Sequence, residues 1–228
     1  MEIEHKYPGI IFDLYSTLVF EDRNNAFYKK MLNNLNLNKE FMTVYKETGR
    51  DSMSGNVDGM VERISLACQR SYVDISHKKI SDFVDKNIHL FNNSVHLYND
   101  TITTLQTLRD YGYQLSMISN ASSYTKPIIR KLKINKYLDE ITLSCDVKTM
   151  KPDSSIYFKH CVKIKHSPSS CIYVGDGGDN ELLGAKNLGM LTIIIDRELP
   201  HTKLAKESAD FHLHNLSQLP EVVNQLNK

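Results

Sequence analysis

The 228-residue sequence contains no tryptophan, only four cysteines and no long apolar run. The cysteines are widely spaced and form no C-x-x-C pair, so we expect small buried thiols in a reducing cytoplasm rather than a disulfide framework. No stretch approaches the roughly 20 apolar residues that a membrane-spanning helix needs. The first residues, MEIEHKYPG, are polar and acidic, unlike a signal peptide. These absences predict a cytoplasmic protein with no membrane partner.

The sequence also has no excess of either charge, since it contains 28 Lys and Arg and 27 Asp and Glu, for a net charge of +1 at pH 7. No long-range field then attracts nucleic acid, and we expect no nucleic-acid partner. Hydrophobic residues make up 41% of the chain and charged residues 24%, as in ordinary globular proteins. The length suits one large domain or a core with a smaller appendage. The sequence leaves open whether the protein is a monomer or a homodimer.

Strand-like and helix-like segments alternate through the second half of the chain. Such alternation of near-continuous apolar strands with helices predicts a parallel sheet covered on both faces, a doubly wound, Rossmann-like α/β core. One helix should begin at an N-cap on Asp153 or Ser154, and another should be closed by Gly189. The last helix is predicted over 216–227. The predicted strands are 9–14, 113–120, 140–145, 171–176, 190–196 and a weak one over 210–214.

Residues 20–95 have a different character, because they are polar, rich in asparagine and helical in their periodicity. Three glycines within 49–59 predict a mobile loop there. We interpret the segment as a helical insertion over 19–96, which leaves 1–18 and 97–228 as the α/β core domain. The predicted helices of the insertion are 24–35, 39–49, 57–73 and 76–92.

Polar side chains suited to chemistry follow four of the predicted strands. In a parallel sheet ligands bind at the carboxyl ends of the strands, so we expect these side chains to meet in one crevice. Several carboxylates there repel one another unless a cation joins them, and oxygen ligands suit Mg²⁺. A hydroxyl and a lysine can hold the oxygens of a phosphate, so the set indicates phosphoryl transfer. Its members are Asp13, Ser119, Asn120, Lys151, Asp176, Asp179 and Glu181.

The segments FDLYSTL, MISN, KPDSSIY and VGDGGDNELLGAKNLGM resemble, in order, the four motifs of the haloacid dehalogenase-like hydrolase superfamily, whose members are mostly magnesium-dependent phosphatases. The resemblance covers the whole chain and implies an α-helical cap subdomain over 19–96 that selects the substrate. It implies that Asp13 is the nucleophile and forms an aspartyl-phosphate, while Ser119 and Lys151 hold the phosphoryl group. The expected substrate is a small phosphorylated metabolite.

The resemblance also implies a Mg²⁺ cofactor at the fourth motif. Asp13, Asp176, Glu181 and the backbone carbonyl of Tyr15 would be its ligands. Asp179 is expected to be peripheral, although a supporting or direct ligand role stays open. Two further residues, Thr17 and Asn120, are candidate substrate contacts, and Thr17 could also bond the nucleophile. For each of the two, the alternative is a simple turn residue.

Residue 15 departs from the family pattern. Phosphatases of the superfamily usually carry a second aspartate there as acid and base, and the phenol of Tyr15, with a pKa of about 10, replaces it poorly near neutrality. We therefore expect a phosphatase that is slow on alkyl phosphates or favours good leaving groups, with a catalytic or a packing role for Tyr15. The same Asp-x-Tyr-x-Thr pattern occurs in metal-free haloacid dehalogenases, which makes a metal-independent dehalogenase the competing interpretation. Those enzymes lack the "GD" that this chain keeps at Asp176, and this favours the magnesium site.

The sequence is compatible with two more functions. One is a catalytically weakened binding protein on the same scaffold. The other is a phosphonate hydrolase that uses one of the lysines of the insertion. Arg23, Arg50 and Arg63 could contact a substrate anion or be solvated helix charges.

Overall fold

The computed structural model describes residues 5–197 and 200–226. Its main sheet has six strands, all parallel, and a separate antiparallel pair forms a two-stranded ribbon. The strands are β1 (Gly9–Phe12), β2 (Val19–Glu21), β3 (Val95–Leu97), β4 (Gln114–Ser119), β5 (Glu140–Leu143), β6 (Cys171–Gly175), β7 (Leu191–Ile195) and β8 (Phe211–Leu213).

The main sheet is doubly wound, as predicted. Its strand order is β5-β4-β1-β6-β7-β8, so the chain runs outward from β1 on one side and then returns to run outward from β6 on the other. The winding reverses between β1 and β6, and ligands of such sheets bind in the crevice at this switch point. Asp13 directly follows β1 and Asp176 directly follows β6. The topology therefore places two of the predicted acids on the two sides of the crevice.

Both faces of the sheet are covered, which explains why its central strands are apolar throughout. Neighbouring side chains of a strand point to opposite faces, so Ile10 and Phe12 pack in one buried cluster and Ile11 packs in the other. The first cluster includes Leu105 and Val223, and the second includes Leu182. The central strands are thus held between two helical layers.

The helices follow the predicted alternation in the second half of the chain. Four short or intervening helices were not predicted, namely Gly49–Met53, Thr101–Asp110, Ser144–Val147 and Lys203–Ser208. The helices are α1 (Ala26–Asn34), α2 (Phe41–Glu47), α3 (Gly49–Met53), α4 (Met60–Arg70), α5 (His77–Asn93), α6 (Thr101–Asp110), α7 (Thr125–Leu132), α8 (Ser144–Val147), α9 (Ser154–Ile164), α10 (Glu181–Lys186), α11 (Lys203–Ser208) and α12 (Leu219–Leu226).

The predicted insertion, residues 19–96, differs from the prediction in two ways. The ribbon β2–β3 pairs Val19 with Leu97 and Glu21 with Val95, although no strands were expected there. The predicted mobile loop begins with the short helix α3, so the segment has five helices instead of four. Gly55 and Gly59 follow α3 with φ values of 73° and 91°, a backbone region that favours glycine and that hides the helix in a glycine-rich pattern. A domain boundary at residues 18/19 and 96/97 stays a prediction.

Several predicted boundaries shift by a few residues. Helix α9 begins at the predicted N-cap, since the Asp153 side chain accepts a hydrogen bond from the Ser155 N–H at 2.8 Å. Strand β5 ends at Leu143, two residues early, because α8 begins at Ser144. Residue 227 of the predicted last helix lies outside the described residues. Among the residues described, no helix has the length and apolar character needed to cross a bilayer.

Candidate active site

A buried lysine joins the ends of three elements at the switch point. Lys151 Nζ lies 2.5 Å from Asp13 Oδ1, and it also donates a hydrogen bond to Glu181 Oε2. All three side chains are nearly inaccessible, with exposures of 3% for Lys151, 6% for Asp13 and 1% for Glu181. Buried charges are tolerated when they are paired in this way. The lysine therefore fixes one oxygen of the Asp13 carboxylate and holds Glu181 beneath it.

Two tyrosines that the sequence analysis did not identify complete this network. Tyr173, in the middle of β6, donates to Glu181 Oε2 at 2.7 Å and lies 2.9 Å from Lys151 Nζ. Tyr157, on α9, donates to the backbone carbonyl of Glu181 at 2.8 Å. Tyr173 could have been identified from the sequence, because it is a tyrosine inside an otherwise apolar strand and a buried phenol needs a hydrogen-bond partner.

Gly175 makes room for Glu181 at the end of β6. A Cβ atom at residue 175 would lie 2.1 Å from Glu181 Oε1, closer than any real contact. The same carboxylate oxygen accepts a hydrogen bond from the Gly177 N–H at 3.1 Å. Both Glu181 oxygens are therefore already bound by groups of this chain, one by Gly177 and one by Lys151 and Tyr173.

Burial and charge pull the pKa values of the network in opposite directions. Burial raises the pKa of Asp13, with Lys151 opposing and Asp176 adding to the shift. Burial also raises the pKa of Glu181 to about 8, again against Lys151. For Lys151, burial alone would lower the pKa, but the carboxylates of Asp13 and Glu181 outweigh it and raise the pKa above its usual value. The lysine is thus held firmly in its charged form.

The loop between β6 and α10 brings more acid to the same place. Asp176 Oδ1 accepts the Gly178 N–H at 3.0 Å, which fixes that side chain at the mouth of the crevice. Asp13, Asp176 and Glu181 each offer one oxygen, and these oxygens lie within 4.8 Å of one another. Asp179 lines the same cavity. Gly177, Asp179 and residue 180 have φ values of 82°, 50° and 55°, so this tight loop is strained where it meets the site.

The donor set fits a hard divalent cation. Four carboxylates line one cavity with a single lysine, so the site carries an excess of negative charge. Carboxylate oxygens are the ligands that Mg²⁺ prefers, and a divalent ion would offset the repulsion by Asp176, which adds to the effect of burial in raising the pKa of Asp13. Asp13 and Asp176 are the better-placed ligands, because both oxygens of Glu181 already have donors.

Ser119 and Asn120 lie where the sequence predicted them, at the end of β4. Ser119 is buried and lines the cavity beside Lys151. The Asn120 side chain accepts the Lys151 N–H at 2.8 Å and donates to Asp179 Oδ2 at 2.8 Å and to the Lys151 carbonyl at 3.0 Å. Asn120 thereby joins two loops of the site, and a direct contact with substrate stays a prediction for it.

Tyr15 and Thr17 fall on different sides of the turn after β1. Tyr15 is partly buried and lines the cavity, and burial raises the pKa of its phenol above the usual value. Thr17 is fully buried, its hydroxyl has no hydrogen-bond partner among the described residues, and it is not part of the cavity wall. The hydroxyl bond considered between Thr17 and the nucleophile is therefore not formed in the structure.

Several cavities adjoin one another at this end of the sheet in the described part of the chain, and one of about 680 Å³ shares Tyr15 and Ser16 with the inner cavity. The inner cavity, about 140 Å³, holds Asp13, Ser119 and Lys151. The outer cavity, about 300 Å³, lies between the helices of the insertion and the loop after β4. Tyr15 and Asn120 line both cavities, so these residues form the shared wall. The site is a buried reaction centre with a larger chamber beside it.

Comparison with known proteins identifies the family. The model of the haloacid dehalogenase-like hydrolase family matches residues 10–195, and the chain belongs to this family. Glyceraldehyde 3-phosphate phosphatase of Methanopyrus kandleri is 29% identical over 136 residues, which cover 58% of this chain and 58% of the relative. The chain thus matches little more than half the length of that relative.

Solved structures of similar fold include both phosphatases and dehalogenases. A haloacid dehalogenase-like phosphatase of Thermococcus onnurineus has a TM-score of 0.71 and 21% identity, over 96% of this chain and 99% of its own. A 2-haloacid dehalogenase of Pseudomonas syringae has a TM-score of 0.72 and 21% identity, over 95% of this chain and 97% of its own. Fold similarity therefore does not separate the two activities, and the side chains of the site must do so.

Proposed function

We propose that this hydrolase is a magnesium-dependent phosphatase that acts on a small phosphorylated metabolite. The observation that carries the proposal is the acidic cavity at the switch point, where Asp13, Asp176 and Glu181 present oxygens within 4.8 Å of one another. A metal-free reaction at Asp13 has no need of Asp176 or Asp179. Phosphatase-named relatives such as that of Methanopyrus kandleri support the same choice.

Asp13 is the nucleophile in this proposal. Lys151 binds Oδ1, so the other carboxylate oxygen attacks phosphorus while the bond from phosphorus to the leaving oxygen breaks. Ser119 holds a phosphoryl oxygen, and the Lys151 ammonium, already bonded to Asp13 and Glu181, offsets the charge that builds on the phosphoryl group. Water then attacks the phosphorus of the aspartyl-phosphate, which releases inorganic phosphate and restores the Asp13 carboxylate. Glu181 holds Lys151 in place throughout.

Magnesium would be held by Asp13, Asp176 and the backbone carbonyl of Tyr15, and it would neutralise charge between the nucleophile and the phosphoryl group. Glu181, predicted as a ligand, is better suited to positioning Lys151, because both of its oxygens have donors from the protein. Each of these carboxylates must be ionised to bind a cation, and Lys151 favours that state for Asp13.

Tyr15 limits which phosphates react quickly. Its phenol is a weak acid, and burial raises its pKa further, so it is a poor substitute for an aspartate as the acid that protonates the leaving oxygen. General acid catalysis typically contributes about 10²- to 10⁴-fold, and this factor is lost most where the leaving group is a poor one. We therefore propose a preference for acyl or aryl phosphates. Equal turnover of p-nitrophenyl phosphate and a sugar phosphate would count against it.

A dehalogenase is the second candidate, and one observation favours it. Lys151 already bridges Asp13 and Glu181, so the nucleophile is held without any metal. In that reaction Asp13 attacks carbon, halide leaves and no acid is required, which would account for Tyr15.

A substrate panel separates the candidates. The full chain is assayed with p-nitrophenyl phosphate, a sugar phosphate and 2-chloropropionate, each with Mg²⁺ and with excess EDTA, and Asp13→Asn is the blank. We expect phosphate release that needs Mg²⁺ and that the blank lacks. Halide release that survives EDTA would establish the dehalogenase, and binding without any turnover would establish a binding protein on this scaffold.

A further inference from the structure

The outer cavity is lined by a half-buried cation without an acidic partner. Arg63, on α4, donates to the Tyr45 carbonyl at 3.1 Å, to the Tyr124 hydroxyl, and weakly to Thr48 Oγ1 at 3.4 Å. Its guanidinium carbon lies 4.1 Å from the centre of the Tyr45 ring. All these partners are neutral, and no acid of the described chain lies within ion-pair distance of Arg63. A positive charge is thus oriented by its surroundings but is not neutralised by them.

Donors remain free on this arginine and beside it. A guanidinium has five N–H groups, and the three contacts account for three of them. The Tyr124 hydroxyl accepts from Arg63, so its own proton is available for a second acceptor. Both side chains line the outer cavity. The arrangement therefore presents N–H and O–H donors, together with a positive charge, to whatever enters the cavity.

The other charges of the cavity do not neutralise Arg63. Lys46 is a second cation on its wall. Glu21 is the one acid among the described residues of the lining, and its Oε1 accepts a hydrogen bond from Asn25 Nδ2 at 2.8 Å. Two cations against one engaged acid leave the cavity with a positive balance. An anionic group therefore complements it.

The outer cavity also connects with the reaction centre. Tyr15 and Asn120 line both cavities, and Tyr124 lies on the loop that begins at Ser119 and Asn120. Of the three arginines that the sequence offered as anion contacts, Arg23 and Arg50 are exposed and neither lines the outer cavity. Arg63 is the one that the fold directs to this cavity.

We propose that Arg63, with Tyr124, binds a second anionic group on the substrate. The substrate is then a phosphomonoester whose phosphoryl group reaches Asp13 and whose other end carries a carboxylate or a second phosphate. This inference rests on the proposed function and names the substrate class for the same site. Hydrogen bonds to charged groups are strong enough for such a contact to change kcat/KM by on the order of 10- to 100-fold.

Matched substrates test the proposal. The pair 3-phosphoglycerate and glycerol 3-phosphate differs only by a carboxylate in place of a hydroxymethyl group. The pair propane-1,3-diol bisphosphate and its monophosphate tests a second phosphate in the same way. The ratio of kcat/KM within each pair is measured for the wild type, Arg63→Met and Arg63→Lys. Arg70→Met is the control, since Arg70 is on the same helix but pairs with Asp51 outside the cavity.

In one of the two pairs, we expect kcat/KM to be at least 10-fold higher for the compound with the additional carboxylate or phosphate. The difference should lie mainly in KM. The ratio should fall close to 1 in Arg63→Met, recover partly in Arg63→Lys and stay unchanged in Arg70→Met. The pair that shows the preference identifies the anion. Ratios near 1 for both pairs in the wild type, or a ratio unchanged by Arg63→Met, would overturn the proposal. If Arg63→Met does not fold, Tyr124→Phe, which keeps the ring, decides in the same way.

Binding separates this proposal from the proposed function. The affinities of the same four compounds are measured by calorimetry with Asp13→Asn, alone and combined with Arg63→Met. If the wild type hydrolyses no phosphate but the anionic-tailed compound binds at least 10-fold tighter through Arg63, the phosphatase proposal fails while the anion-binding role of Arg63 stands. If all four compounds are hydrolysed without preference, the phosphatase proposal stands and the proposed role of Arg63 fails.

Discussion

A histidine buried under the sheet makes the stability of this protein depend on pH. His160, on α9, is 0% exposed and lies between two hydroxyls, Thr142 Oγ1 at 2.9 Å and Ser116 Oγ at 2.8 Å. A neutral imidazole offers one donor and one acceptor, and a hydroxyl can serve either. Burial lowers the pKa of His160 to about 3, with a smaller contribution from Lys163. The folded protein therefore keeps this ring neutral where an unfolded chain would protonate it.

The size of the effect follows from the two pKa values. The unfolded ring has a pKa of 6.5, and the folded one has a pKa of about 3. Because the pKa of His160 is lower in the folded protein, the neutral ring makes its full contribution to the free energy of unfolding above pH 6.5. That contribution is lost as the pH falls below 6.5. A pH of 5 lies about 1.5 units below the pKa of the unfolded ring. At about 1.36 kcal/mol per unit, protonation of the unfolded chain then lowers the free energy of unfolding by about 2 kcal/mol. The loss continues down to about pH 3.

Urea unfolding at pH 8, 6.5 and 5 measures this loss. Other groups also titrate over the range, so the wild type is compared with His160→Gln, whose amide can still bond a hydroxyl but does not ionise. The difference in unfolding free energy between the two proteins should shrink by about 2 kcal/mol from pH 8 to pH 5. His89→Gln, at an exposed position on α5, is the control and should follow the wild type. A difference that is constant within about 0.5 kcal/mol would refute the reasoning.

Three substitutions in the site test its other features. Lys151→Met leaves Asp13 and Glu181 buried without a cation, so we expect a loss of about 3–5 kcal/mol in stability at pH 7 that eases as the carboxylates protonate at lower pH; a loss below about 1 kcal/mol in urea unfolding would contradict this. Thr17→Val removes a buried hydroxyl that has no partner, and we expect stability to be equal or higher by about 1 kcal/mol with unchanged kcat; a large fall in kcat would instead place the hydroxyl in catalysis. Tyr15→Asp supplies the missing acid, so turnover of a sugar phosphate should rise relative to p-nitrophenyl phosphate by up to about 10²–10⁴-fold, and a parallel change for both would show that no acid was lacking.

Local pattern was enough for the fold and for the position of the site. Apolar runs such as GIIF predict a strand buried on both faces, and the alternation with helices predicts a parallel sheet. The carboxyl ends of parallel strands share one edge, so Asp13, Ser119 and Asp176 had to approach one another once that sheet was predicted. The short ribbon of β2 and β3 escaped prediction, since three-residue strands carry too little periodicity to be seen.

The partners within the site were beyond the reach of the sequence. Lys151 and Asp13 are 138 residues apart, and nothing in either local pattern indicates that the lysine also binds Glu181 and Tyr173. Sequence alone named Glu181 as a metal ligand, which stays a prediction, but it did not indicate that each of its oxygens has a protein donor where β6 packs against α10. The sequence likewise does not distinguish Arg63 from an ordinary solvated arginine on a helix. Only the tertiary structure shows that it lies beside Tyr124. Periodicity and strand ends determine which residues reach the crevice, because they depend on neighbours along the chain. Which atoms pair there depends on distances across the chain, and only the tertiary structure decides them.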